Sequence, residues 1–346
     1  MKKFILPLVC AAFLAACAGA RVRPDGSVTA RPDWADGSSA AYPRSRFLTG
    51  IGSADDLGSA KDRARGEISR IFATQVTMNT SAIASEQTSS QGGKSLSNSA
   101  QDVMESVRAT SSKMLEGVEV VQTWHDSSTR QYYALAVLDR AKALAALSGK
   151  LEELDASVDD VNKSFSAAME KMAKAKFAMK LLSLFKGRES LTADMRVLNP
   201  GGSTEPSFNI NYLRRASADA LAALDVAVTM SGDSSDQAAA EIIKTLNGMG
   251  IQAKTGAGSA DIAVDCAAKF EPMADPDVHS RWKWYRASAT ISLKDVKASK
   301  IFLSADVTAK EAAATAAEAK TRTEASLGKK VGAEITKGIT AYFENQ

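Results

Sequence analysis

Chemistry in this chain must be built from sparse material, because 346 residues contain two histidines, His125 and His279, and three cysteines, Cys10, Cys17 and Cys266. His125 stands beside Asp126 at the start of an Asp-Ser-Ser-Thr turn. Neighbours on a strand point to opposite faces, so this carboxylate is badly placed to orient the imidazole as a base, and His125 reads as a surface residue. Asp275, Asp277 and His279 gather two carboxylates and an imidazole in Asp-Pro-Asp-Val-His. Turns select Asp and Pro for their own reasons, and three ligands without a fixed geometry do not define a metal site. Gly50-Ile51-Gly52 begins like a dinucleotide fingerprint, yet Asp55 stands where the third glycine belongs. A strand-to-helix turn that needs close approach of two backbones is the simpler reason for these glycines. Cys266 has no histidine or second thiol near it in sequence and reads as a small buried residue. We therefore expect no catalytic residue, no metal and no cofactor, and a chain that is not an enzyme.

Arg281-Trp282-Lys283-Trp284-Tyr285-Arg286 is the most distinctive surface candidate. Strand alternation places Trp282, Trp284 and Arg286 on one face and Lys283 and Tyr285 on the other, with Tyr285 continuing an apolar pattern. Tryptophan beside arginine suits an anchor for a protein partner, and indole faces can stack on sugar rings. The alternative is that the tryptophans pack under a helix or loop. Trp34 and Trp124 lack such company and are expected in the core.

The N-terminal residues Met1-Lys2-Lys3, the apolar run Phe4 to Leu14, and Ala15-Ala16 have the charged, apolar and small-residue regions of a secretory signal peptide. The run is too short to span a bilayer. Leu14-Ala15-Ala16-Cys17 resembles the lipobox of bacterial lipoproteins, which implies cleavage after residue 16 and a diacylglyceryl group on the Cys17 thiol, followed by acylation of the new amine with palmitate or a similar chain. Each buried methylene contributes ~0.8 kcal/mol and a single chain holds only marginally, so two or three chains imply stable anchoring. Ala18 and Gly19 follow without an acidic residue at the second position, which resembles the sorting pattern of the outer membrane, with the protein facing the periplasm. Removal of Cys10 and lipidation of Cys17 would leave Cys266 alone, so no disulfide is expected. The formal net charge of +3 and the absence of a basic stripe argue against a nucleic-acid partner.

These residues need elements to position them. Residues 17–30 are mostly small or polar, with Pro24 and Gly26, and suit a flexible tether. A first unit, 31–140, opens at Pro32-Asp33-Trp34. Phe47 to Ser53 reads as a strand. Leu57, Ala60, Ala64, Ile68, Ile71 and Val76 form one helical stripe. Thr77 to Gln101 is rich in Ser, Thr, Gln and Asn and reads as a polar strand with a loop, or as disorder. Val118 to Trp124 and Gln131 to Leu138 read as a hairpin. From Leu144 to Leu182 apolar residues recur at alternating steps of three and four, with Gly149 outward. This heptad seam predicts a long helix over 141–190, roughly 60 Å at about 1.5 Å per residue. It would act either as a coiled coil giving a homo-oligomer through 144–182 or as a helix packed on its own chain, broken near Ser148-Gly149. Pro200-Gly201-Gly202 marks a turn near the start of a second unit, 195–346. Helices are predicted at 210–224 and 235–246, and a strand at 226–230. Alternating strands follow at Ile262 to Phe270, Tyr285 to Leu293 and Ile301 to Val307, then a last helix carrying Leu327, Val331, Ile335, Ile339 and Tyr342. The fold class is α+β, two small helix-on-antiparallel-sheet domains joined by the heptad-patterned helix.

Pro32-Asp33-Trp34, Phe47-Leu48-Thr49-Gly50-Ile51-Gly52, the helix with Ala60 and Ala64, and Tyr132-Tyr133-Ala134-Leu135-Ala136-Val137-Leu138, in this order, resemble the LPP-twenty family of outer-membrane lipoproteins. They are also similar to the N-terminal domain of the flagellar assembly protein FlgT. The likeness covers about residues 31 to 145. It implies a helix-on-sheet domain in the cell envelope and carries no catalytic residues. The functional expectation is a membrane-anchored scaffold or regulator of a periplasmic or outer-membrane assembly, working through an envelope protein partner of unknown identity. A peptidoglycan- or glycan-binding module using Trp282 and Trp284 is the alternative.

Overall fold

The computed structural model describes residues 27–28, 31–37, 39–90, 117–233, 236–256, 258–274 and 281–344. These divide into two compact units, 1–148 with 190–202 and 149–189 with 203–346.

In the first unit, a short strand β1 (Ser27–Val28) is followed by a 3-10 turn (Asp33–Asp36), β2 (Phe47–Ala54), helix α1 (Leu57–Ser90) and the hairpin β3 (Glu119–Asp126) and β4 (Gln131–Asp139). The sheet runs β1-β3-β4-β2, antiparallel except that β1 lies parallel to β3. The predicted tether therefore ends in a strand at 27–28, and the rest of 17–30 lies outside the described residues. Asp56 caps α1, its carboxylate accepting from the Ser59 amide at 2.9 Å. Ala60, Ala64, Ile68, Phe72 and Val76, one every four residues, are all buried against the sheet. The helix continues through the polar segment that was expected to be strand, loop or disorder, as far as Ser90. Ser, Thr and Asn have poor helix propensity, but a helix already nucleated by packing extends more readily than a new one starts.

Gly50 and Gly52 lie within β2 rather than in a turn. A Cβ on Gly50 would stand 2.3 Å from the Ala64 carbonyl oxygen, and one on Gly52 would stand 2.2 Å from that of Ala60. The glycines thus let α1 rest directly on the strand backbone. The opposite face of the sheet is also covered. Trp34 from the 3-10 turn and Trp124 from β3 pack there with Leu135 and Val137 of β4, as expected for core tryptophans.

The second heading of structure is a helical hairpin. Helix α2 (Arg140–Ala167) stops at Ala168-Met169-Glu170, and α3 (Lys171–Leu198) returns. The single long helix predicted over 141–190 is therefore two helices, with the break at the 168–170 turn and not at Ser148-Gly149. Lys174 sits over Phe165 and Arg188 pairs with Asp155, so the arms are antiparallel in the second unit. Val158, Val161 and Phe165 of the seam are buried in one cluster with Ala175, Ala178, Leu181 and Phe185. The seam thus packs on its own chain.

The second unit continues with α4 (Ile210–Ala222), β5 (Asp225–Gly232), α5 (Asp236–Gly248), β6 (Gln252–Thr255), β7 (Ile262–Met273), β8 (Lys283–Asp295), β9 (Lys300–Ala313) and α6 (Ala316–Glu344). Its sheet runs β6-β5-β7-β8-β9. The strands β7, β8 and β9 form an antiparallel meander, whereas β5 is parallel to both neighbours, so the sheet is mixed and not wholly antiparallel. Ile262, Val264, Cys266 and Ala268 of β7 and Ala287, Ala289, Ile291 and Leu293 of β8 share a core with Leu327, Val331, Ile335 and Ile339 of α6. The alternate residues Asp265, Ala267, Lys269, Thr290, Asp306 and Thr308 are exposed, so the helices cover one face only.

Candidate functional site

Cys17 and the lipobox residues before it lie outside the described residues, as do Asp275, Asp277 and His279. Among the described residues no group of three or more His, Cys, Asp or Glu side chains is placed to hold a metal. No helix there is long and apolar enough to cross a membrane.

The aromatic strand is resolved in detail. Trp282 stands just before β8 begins at Lys283 and is 54% exposed. Trp284 is half-buried, paired in register with Met273 on β7 and Ala312 on β9. Arg286, two residues on, lies between Glu271 and Lys310 on the same face. The Lys310 ammonium sits 4.5 Å from the centre of a Trp284 ring, a cation–π contact across the β8–β9 pair. Glu271 is engaged by Lys269 at 3.0 Å. Tyr285 points the other way and is half-buried, its carbonyl accepting from Thr323 of α6 at 3.4 Å. The structure therefore joins Trp284 and Arg286 with Lys310, a residue the sequence reading did not single out, while Trp282 stands outside the ladder.

Farther along this face is a recess of about 380 Å³ lined by Ala267, Lys269, Ser288, Thr290, Asp306 and Thr308. Thr290 donates to Asp306 at 2.6 Å, and Lys269 is paired with Glu271. The recess is shallow, and its charged groups already serve other side chains.

The remaining candidates have structural roles. His125 is exposed and packs on Tyr132 across the hairpin, with ring centres 4.4 Å apart. The Asp126 carboxylate accepts from the Ser128 hydroxyl at 2.6 Å and its amide at 2.9 Å, and these bonds hold its pKa down to about 2. It shapes the turn. Cys266 is 1% exposed, and burial pushes its thiol up to about 11, far from a reactive thiolate.

Two buried polar groups on α3 were missed. Arg188 makes a forked contact to Asp155 at 2.8 and 3.2 Å and donates to the Thr204 carbonyl at 2.6 Å, tying α3 to α2 and to the segment after α3. Asp194 is 2% exposed, one of its oxygens has no hydrogen-bond partner, and burial pushes its carboxyl up to about 7. The buried positions Phe185, Arg188, Thr192 and Met195 also follow at steps of three and four, but one position back from the seam that ends at Leu182, so the polar interruption at Arg188 and Thr192 did not fall on the predicted stripe.

A secreted protein from the human pathogen Helicobacter pylori is similar at 13% identity over 86% of this chain and 97% of its own, with a TM-score of 0.40. A minor lipoprotein from Acinetobacter baumannii is similar at 15% identity over 34% of this chain and 91% of its own, TM-score 0.26. The PelC dodecamer from Paraburkholderia phytofirmans is similar at 17% identity over 34% of this chain and 86% of its own, TM-score 0.26. No curated protein matches the chain. Residues 32–139, from the turn that carries Trp34 to the last residue of β4, match the LPP20 lipoprotein family.

Proposed function

We propose that this protein is an envelope lipoprotein anchored by lipid on Cys17, and that it acts without catalysis as a scaffold or regulator of an assembly at the outer membrane, facing the periplasm. The observation that carries this reading is the order of two features. A lipobox-like Leu14-Ala15-Ala16-Cys17 stands 15 residues before a segment that matches the LPP20 lipoprotein family. The paired charges of the open sheet face and the inert thiol of Cys266 support a role built on contacts, since neither offers a base and nucleophile pair.

Metabolic labelling with an alkyne analogue of palmitate, followed by fractionation of the envelope, tests the anchor. The wild type should carry label and enter the outer-membrane fraction. Cys17→Ala should lose the label and leave that fraction. Label retained in the variant would sink the reading.

A further inference from the structure

We propose that the strand end formed by Arg281, Trp282, Lys283, Arg286 and Lys310 is a contact surface for an anionic lipid bilayer. The inference goes beyond the Cys17 anchor and does not depend on it, because it concerns a surface of the folded second unit.

Charge is the first observation. Glu271 is engaged by Lys269 and Glu318 by Arg322 at 2.6 Å, which leaves Arg286 and Lys310 on the open face, and Arg281 and Lys283 at the start of the strand, in excess over the half-buried Glu311, which lies on the helix side with Tyr285. Asp275 and Asp277 precede the strand in sequence and lie outside the described residues. All four cations are exposed. The second observation is Trp282, whose indole is 54% exposed between two of those cations. A protein core has no reason to leave that much indole in water, whereas a headgroup layer takes the apolar ring and the polar N–H together. Third, Lys310 lays its ammonium over Trp284, so an apolar surface and a positive charge are presented at one spot. Charge and aromatic surface side by side suit a headgroup layer, where phosphate and the upper acyl carbons also lie together. A neutral glycan would use the ring faces but would leave the four cations without a role.

The test uses the chain from residue 18 onward, made without lipid. Every described element begins after residue 26, so both units are retained. Sedimentation with vesicles of phosphatidylglycerol and phosphatidylcholine in equal parts should retain the protein, and pure phosphatidylcholine should not. Retention should fall as salt shortens the screening length. Replacing Arg281, Arg286 and Lys310 by Gln should weaken binding about fivefold for each cation removed, since these side chains lie near the surface potential. Binding should also shift the tryptophan emission to shorter wavelength in the wild type and much less in Trp282→Phe. The substituted groups are exposed, so unchanged circular dichroism and melting will show that the variants still fold. Equal binding by the triple variant, or no preference for phosphatidylglycerol, overturns the proposal. Retention on purified peptidoglycan sacculi without vesicle binding also overturns it and assigns the surface to a glycan.

Discussion

The two sheets solve the same packing problem differently. In the first unit β4 is sandwiched, with Ala134, Ala136 and Leu138 under α1 and Leu135 and Val137 under Trp34 and Trp124, and all five are buried. In the second unit β8 buries Ala287, Ala289, Ile291 and Leu293 but leaves Thr290 and Arg286 in water. A sheet covered on both faces gains apolar burial on each side of every strand and keeps little surface for partners. One covered on a single face gives up that burial and retains an open array of side chains. The difference leaves an open sheet face on the second unit, while the segment that matches the lipoprotein family is the more enclosed one.

Gly52→Val gives the comparison its hardest test. The new Cβ would stand 2.2 Å from the Ala60 carbonyl oxygen, a backbone atom that cannot rotate away. Either β2 or α1 must move, and the first unit is expected to lose more than about 3 kcal/mol, beyond the usual cost of overpacking. Denaturant unfolding followed by tryptophan fluorescence measures it. An unchanged midpoint would mean that the helix does not rest on this strand as described.

A smaller effect sharpens the contrast between enclosed and open carboxyl groups. Asp194 is nine-tenths or more buried and titrates near 7, because burial disfavours its charged form. Its folded-state pKa lies above the unfolded value of 3.8, so the folded protein binds the proton more tightly. Its favourable contribution is therefore largest below about pH 4, declines as pH rises towards about 7, and is gone above it. Asp194→Asn removes the titration. At pH 8 the variant is expected to be more stable than the wild type by something on the order of 2 kcal/mol, with the gap closing by pH 4. Melting curves across that range check it, and a gap that did not depend on pH would contradict the assigned cause.

Much of this contrast was legible in the sequence where a single period runs without interruption. Period two marked β7, β8 and β9, while β2 and the hairpin were read as strands without it, and the close backbone approach expected at Gly50 and Gly52 is present, though within β2 and not at a strand-to-helix turn. Three things were hidden. The turn at Ala168-Met169-Glu170 contains neither glycine nor proline, and Ala168 and Met172 on either side of it keep the three-and-four spacing, so nothing in the sequence marks the break, although the face that α3 buries shifts to Ala175, Ala178, Leu181 and Phe185. The direction of β5 does not appear in its alternation, although the strand, helix, strand order of 225–255 is the pattern of a parallel crossover. The partner of Trp284 is Lys310 on β9, 26 residues away, and only the register of β8 and β9 brings them together. Of the candidate site, Trp284 and Arg286 share one face as expected while Trp282 stands outside the strand, and the proposal of lipid on Cys17 rests on its sequence motif and the family match.

Thr290→Ala supplies the smallest effect and the cleanest control. Thr290 lies on β8, an interior strand of the second sheet, and, unlike Gly52 in the first, on a face that water reaches. Its hydroxyl donates to Asp306 on the neighbouring strand at 2.6 Å. Both partners are exposed, so losing the bond returns each to solvent, and the sheet loses only a cross-strand pair. The expected change is within about 0.5 kcal/mol, the range of ordinary surface substitutions. Denaturant midpoints measured beside Gly52→Val would test it. A loss approaching that of Gly52→Val would mean that this face is covered in solution, and the contrast between an enclosed and an open sheet would then fail at an interior strand.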